Sequence, residues 1–219
     1  MHMVIHARDF DDNDEGMLYG FDHPGAQKLA ATILDSLAGI DEGGLVEVDL
    51  SGVRVLDADF AAAVYTAMQR GEHDRFCRER AGKGLVFSHV DPRHRRGILR
   101  ALDEIKDVVA FADDEGHVEF LGAPFEDRQA PVRRVYEHLL DVRETTATDL
   151  QPFLKEHNIG SSLQNAHVLL SRLHQFGLLK KERRVAPGKA SYRLYALLDY
   201  SNYFHAAAKD TREKACSTR

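Results

Sequence analysis

The chain has 219 residues, 43% hydrophobic and 29% charged, with a formal net charge of −6. That suits one large domain or two small ones with ordinary cores, and no apolar run approaches the roughly 20 residues of a membrane span. Two distant cysteines, Cys77 and Cys216, exclude a disulfide framework or zinc ribbon, and the opening MHMVIHARDFDDNDEG lacks the apolar stretch of a signal peptide, so cytoplasmic residence is expected.

In chain order, residues 4–8 and 17–21 are short β-prone runs, with the acidic turn or loop Asp9 to Gly16 between them. Pro24 opens a helical pattern in which Leu29, Ile33, Leu34 and Leu37 recur, and Gly39 stops it. Leu45 to Leu50 (LVEVDL) predicts a central strand, since it is apolar at most positions. Phe60 to Met68 begins a helix expected to run to about Cys77. Leu85 to Val90 predicts another strand. Ile98, Leu99, Leu102 and Ile105 mark an amphipathic helix, and Val108 to Phe111 and His117 to Leu121 predict two further strands. Strands alternating with helices imply an α/β fold with a mixed or partly parallel sheet.

Gly122 to Pro131 (GAPFEDRQAP) has the composition of a linker, placed at 127–130 between a first domain at 1–126 and a second at 131–198. After it the pattern turns helical. Val132, Val135, Tyr136, Leu139 and Leu140 form one face of a helix. Thr146 or Thr148 caps the next, with Leu150, Phe153 and Leu154 inward. Asn158-Ile159-Gly160 makes a turn, and Ser161 or Ser162 caps a third helix with Leu163, Ala166, Leu170 and Leu173 as its core stripe. Gly177 ends that helix. Leu178 to Val185 and Ser191 to Leu198 pair as a hairpin around Pro187-Gly188. Residues 199–219 form a tail whose Tyr200, Tyr203, Phe204, Ala207 and Ala208 recur at helical spacing, a candidate for an intersubunit contact or for packing back on the preceding domain.

The charge is divided. Residues 1–127 hold 13 Lys+Arg and 26 Asp+Glu, net −13; residues 128–219 hold 16 and 9, net +7. Only the basic part suits a polyanion. The order helix, tight turn, helix, basic hairpin is what lays a helix in a DNA groove and a hairpin on the flanking phosphates. With the core stripe inward, the third helix exposes Ser161, Ser162, Gln164, Asn165, His167, Val168, Ser171, Arg172 and Gln175. Gln and Asn suit adenine edges, and small Ser residues allow close approach. The hairpin adds Lys180, Lys181, Arg183, Arg184, Lys189 and Arg193 for phosphates or a minor groove. Through the turn N-I-G-S-S, the helix end F-G-L-L and the Lys/Arg-rich hairpin, residues 131–198 resemble a winged helix-turn-helix domain. The resemblance implies that the N-terminal half of the third helix, at Ser161, Ser162, Gln164, Asn165 and His167, enters the major groove, and that a homodimer reads paired half-sites. Winged helices also serve as protein-interaction modules.

Val46 to Ala61 (VEVDLSGVRVLDADFA) and Leu85 to Leu99 (LVFSHVDPRHRRGIL) resemble a STAS domain, of the divergent kind found in bacterial regulators. The resemblance implies a small sheet flanked by helices and a docking role, often opposite a kinase-type ATPase. In the antagonists of that family a phosphorylatable Ser or Thr follows an Asp. Here Asp57 matches the Asp, Ala58 stands where the hydroxyl would be, and Phe60 stands at the glycine. Phosphorylation there is chemically impossible. Asp57 and Asp59 are the candidate docking residues, Asp59 serving as an N-cap or as a fixed charge at the helix start.

For catalysis, Asp49, Asp57, Asp59, Ser51, His89 and Asp91 are candidates to gather at the C-terminal ends of strands, and Ser51 with His89 invites a triad. No nucleophile elbow, Walker loop or dinucleotide fingerprint accompanies them, and His167 and His174 lack a carboxylate or Cys to complete a metal site. No enzyme, cofactor or metal is expected. The expected function is transcription regulation through duplex DNA. The alternative is a signalling adaptor in which both domains dock proteins.

Overall fold

The fold is a computed structural model that describes residues 1–12, 15–69, 73–105, 107–113, 117–185 and 192–200. Lys189, the Pro187-Gly188 tip, Ser191 and the tail beyond Tyr200 lie outside the described residues.

Five strands form the main sheet: β1 (His2–His6), β3 (Leu45–Asp49), β5 (Gly84–Ser88), β6 (Val109–Ala112) and β7 (Val118–Leu121), side by side in that order. The first four run parallel and β7 returns antiparallel on β6. Every residue of β3, β5 and β6 is buried, as expected of parallel strands covered on both faces. On one face Val46, Val48, Leu85, Phe87, Val109 and Phe111 pack against α1 (Pro24–Gly39), α2 (Ala58–Gln69), α3 (His73–Arg80) and α4 (Pro92–Ile105). Strand alternation turns Leu45, Val86, Ala110 and Ala112 the other way, where Leu198 and Tyr200 cover them. A small parallel pair, β2 (Met17–Leu18) with β4 (Val55–Leu56), stands apart.

A second apolar cluster belongs to the helices that follow. α5 (Ala123–Glu126), α6 (Pro131–Val142), α7 (Ala147–Glu156) and α8 (Leu163–Gln175) bring together Phe125, Val132, Val135, Leu139, Leu150, Leu154, Ala166, Leu170 and Leu173. The strands β8 (Glu144–Thr145), β9 (Leu179–Arg184) and β10 (Tyr192–Leu197) form an antiparallel sheet with β10 in the middle.

Several expectations change. The helix expected from Phe60 to Cys77 is described as two elements, α2 ending at Gln69 and α3 beginning at His73. The linker-like stretch holds α5, because Phe125 is apolar enough to be drawn into the second cluster. Leu140 and Leu163 are 45% and 44% exposed. Leu169 is buried in the second cluster, while Leu163, the first residue of α8, stands exposed at the end of the stripe that Ala166, Leu170 and Leu173 continue.

The two clusters meet at the C-terminal end of α8. His174 Nε2 donates to Glu42 Oε1 at 2.8 Å, and the Lys181 backbone N–H donates to the same oxygen. Gly82 N–H donates to the His174 carbonyl at 2.9 Å. The Tyr200 hydroxyl donates to the Gly177 carbonyl at 2.7 Å, so Tyr200 packs back onto the main sheet. Arg80, 2% exposed, donates to Asp107 at 2.6 Å and to the Val108 carbonyl, tying α3 to the start of β6.

Candidate nucleic-acid interface

The turn into α8 is built by its own side chains. Asn158 and Gly160 take positive φ, 56° and 89°. Ser162 is the N-cap, its hydroxyl accepting from Asn165 N–H at 3.1 Å, and Thr146 caps α7 in the same way. The Asn165 amide donates to the carbonyls of Ile159 and Gly160, both at 2.9 Å, and Gln151 donates to the Ser161 carbonyl at 2.9 Å. Asn165, expected to face a base, thus spends its amide N–H groups on closing the turn.

Ser161, Ser162, Leu163, Gln164, His167, Val168, Ser171, Arg172 and Gln175 are exposed. An open groove of about 540 Å³ runs between α8 and β10, lined by Leu163, Gln164, His167, Val168, Ser171, Arg193 and Tyr195. Arg172 lies over the Phe176 ring, 5.6 Å from its centroid, at the far end of the helix.

The hairpin register divides the basic cluster. Arg193 pairs with Arg183 and Tyr195 with Lys181, so these four project from one face. Because Arg193 and Tyr195 line the groove, Lys181 and Arg183 belong to the α8 side. Lys180, Glu182 and Arg184 alternate to the opposite face. There Glu182 takes Lys180 at 3.0 Å and Arg184 at 3.2 Å, and Glu144 of β8 lies 3.6 Å from Arg184. Lys180 and Arg184 hold the Glu182 carboxyl below its usual range. The four charges expected to act together are therefore two facing the groove and two paired away from it. His167 is exposed in the groove while His174 is buried against Glu42, so the two share no site.

In the α/β part, Asp57 is the cap of α2. Its Oδ1 accepts from Phe60 N–H at 2.7 Å, and its carboxylate also accepts from Gly20 N–H. Asp59, expected as a cap or as a fixed charge at the helix start, stands exposed in the first helical turn, two positions past the cap, so of the two it is the charge.

The candidate catalytic residues gather in part. Asp49, 7% exposed, accepts from Ser51 N–H and Ser51 Oγ, each at 2.8 Å, from His89 Nδ1 at 2.8 Å and from His6 Nδ1 at 2.9 Å. Burial opposes its charge, but these donors outweigh it and hold its carboxyl below the usual range. Ser51 and His89 both bond the carboxylate, so the relay runs Ser–Asp–His and gives Ser51 no base through this network. Asp91 bonds Arg93 and is not part of it. Beside it, Glu47 accepts from His2 at 2.8 Å and from Ser88. His2, His6, Glu47 and Ser88 were missed from the sequence, although the even spacing of His2 and His6, four apart, and of Glu47 and Asp49, two apart, which puts each pair on one face of a strand, was a usable signal. Glu42 had none. Among the described residues no group of three or more His, Cys, Asp or Glu is placed to hold a metal ion, and no helix is long and apolar enough to cross a membrane.

Compared with known protein families, with curated proteins and with solved structures, the chain matches none.

Proposed function

We propose that this protein is a regulator that binds duplex DNA through α8 and the β9–β10 hairpin, while its α/β part senses a signal or docks a protein partner. One observation carries this: Lys181, Arg183 and Arg193 project from the hairpin on the side of the exposed polar face of α8. A helix seated in the major groove would bring these cations to the flanking phosphates. The order α6, β8, α7, α8, β9, β10 supports a winged helix-turn-helix at 131–198, and the parallel sheet with its helices on one face is consistent with a STAS-like part at 1–126. Gln164, Ser161, Ser162 and His167 are the proposed base-reading and close-approach residues, with a homodimer matching paired half-sites. Asp59 is the proposed docking charge, because Asp57 is occupied as a cap.

An adaptor without DNA binding is favoured by the pairing of Lys180 and Arg184 with Glu182 and Glu144, which removes half of the expected basic cluster. Fluorescence anisotropy on mixed-sequence duplex DNA across a salt series separates the two. Each phosphate contact contributes about −0.9 to the slope of log K against log salt. The expected result is steep salt dependence, with the slope reduced by about 2–3 in Lys181/Arg183/Arg193→Ala and by less than about one in Lys180/Arg184→Ala. No binding by the wild type, or equal binding by both variants, transfers the assignment to the adaptor.

A further inference from the structure

Two of the side chains lining the α8 groove are apolar and face water. Leu163 is 44% exposed and Val168 is 56% exposed. A single exposed apolar residue needs no explanation, but these two share one groove with Gln164 and stand beside Arg193. Val is also a weaker helix former than the straight-chain polar residues that would suit an exposed position on α8. The bulk of α8's apolar residues are already in the core, so this pair is surplus to folding.

The major groove of duplex DNA contains one apolar group that a side chain can reach, the C5-methyl of thymine. Gln164 precedes Val168 by four residues and so lies on the same helix face. Its amide suits adenine N6 and N7. An A·T pair therefore offers partners to both residues of the i, i+4 couple: adenine to Gln164 on one strand, and a thymine methyl to Val168 on the strand opposite or at a neighbouring step. The nearby Lys181, Arg183 and Arg193 supply the positive charge that a nucleic acid requires and that an apolar peptide does not.

We infer that the α8 groove reads A·T pairs, and that Val168 recognises the thymine C5-methyl while Gln164 takes the adenine. This rests on the DNA-binding assignment above and extends it to a base chemistry.

The test uses the full chain to select tight binders from a library of random-sequence duplexes. The enriched duplexes are then resynthesised with deoxyuridine in place of thymidine, which removes only the C5-methyl groups. The expected result is enrichment of A·T pairs and binding weakened about fourfold for each contacted methyl, from the transfer of one buried carbon. Val168→Ser, whose site is exposed and whose melting temperature should match the wild type, should bind the thymine and uracil duplexes equally. Gln164→Ala should relax the preference for adenine. If the wild type binds both duplexes equally with steep salt dependence intact, or enriches no A·T pairs, methyl reading is overturned and DNA binding stands. If no salt-sensitive binding is seen to any duplex, both fall, and Leu163 and Val168 are assigned to a protein partner.

Discussion

Asp49 keeps its charge inside the protein because four donors converge on it from β1, the Ser51 turn and His89. Glu47 is held below its usual range as well: burial works against the charge, and hydrogen bonds from His2 and Ser88 overcome it. Both groups have folded pKa values below their ordinary 3.8 and 4.5. Their contribution to stability is therefore complete above those ordinary values and is lost as pH falls through the lower folded ones. Thermal melts should show stability declining below about pH 4.5. Asp49→Asn should already be destabilised at neutral pH by about 1–3 kcal/mol, because donors that pointed at a carboxylate lose an acceptor, and its decline in acid should be shallower. An unchanged melting temperature at neutral pH would show that the cluster contributes nothing net. The residue scale is also where sequence reading was weakest. Asn165 and Gln164 are neighbouring amides of one helix, and only the turn geometry tells that one closes the turn and the other faces the groove.

At the scale of elements, patterning was the dependable guide. α1 begins at Pro24 and ends at Gly39, as the spacing of Leu29, Ile33, Leu34 and Leu37 predicts. β3, β5, β6 and β7 fall within a residue or two of the apolar runs that announce them. β4 and β8 were not legible, since a two-residue strand has no period. The hairpin was legible as two strands, and the period of two along β9 already puts Lys180 and Arg184 opposite Lys181 and Arg183. Grouping all four by charge overlooked that alternation, and only the structure tells which face meets α8. Gly177 is the element boundary with the sharpest consequence. Its φ is +71°, and an added Cβ would stand 2.1 Å from the Lys83 carbonyl oxygen. Gly20 has a similar φ of +83° with nothing within 4 Å of an added Cβ. Gly20→Ala should cost only the conformational term of about 1–2 kcal/mol. Gly177→Ala should cost more, because the backbone of α8 or of Lys83 must shift. Urea midpoints of the two variants measure the difference, and equal midpoints would mean that the α8–Lys83 contact adjusts without cost.

At the scale of the whole molecule, Tyr200 joins the back of the main sheet to the end of α8. It is 5% exposed, its ring lies 5.1 Å from that of Phe120, and its hydroxyl reaches Gly177. Tyr200→Ala should remove about 3–5 kcal/mol of stability, as for other large buried aromatic truncations. Tyr200→Phe should remove about 1 kcal/mol, the worth of one hydrogen bond. Amide exchange at Leu198, which bonds the Leu178 carbonyl at 3.0 Å, should quicken in Tyr200→Ala and hardly change in Tyr200→Phe. If exchange there is unaltered by the alanine, the two apolar clusters hold together without Tyr200.

These fastenings, Glu42 to His174, Lys83 against Gly177 and Tyr200 to Gly177, all lie at one end of α8, and the groove lies toward the other. The helix is fastened at its C-terminus to the α/β part and is buried along its length, through Ala166, Leu169 and Leu170, in the second apolar cluster, so helix and cluster move as one body. The 13 residues of α8 extend about 20 Å at 1.5 Å each. A pivot of about 10° at the fastenings therefore sweeps Ser162 through roughly 3.5 Å, close to the 3.4 Å that separates successive bases on a strand. Under the proposed DNA-binding role, a small rotation at Glu42 would shift the tip of α8 by about the spacing of one base.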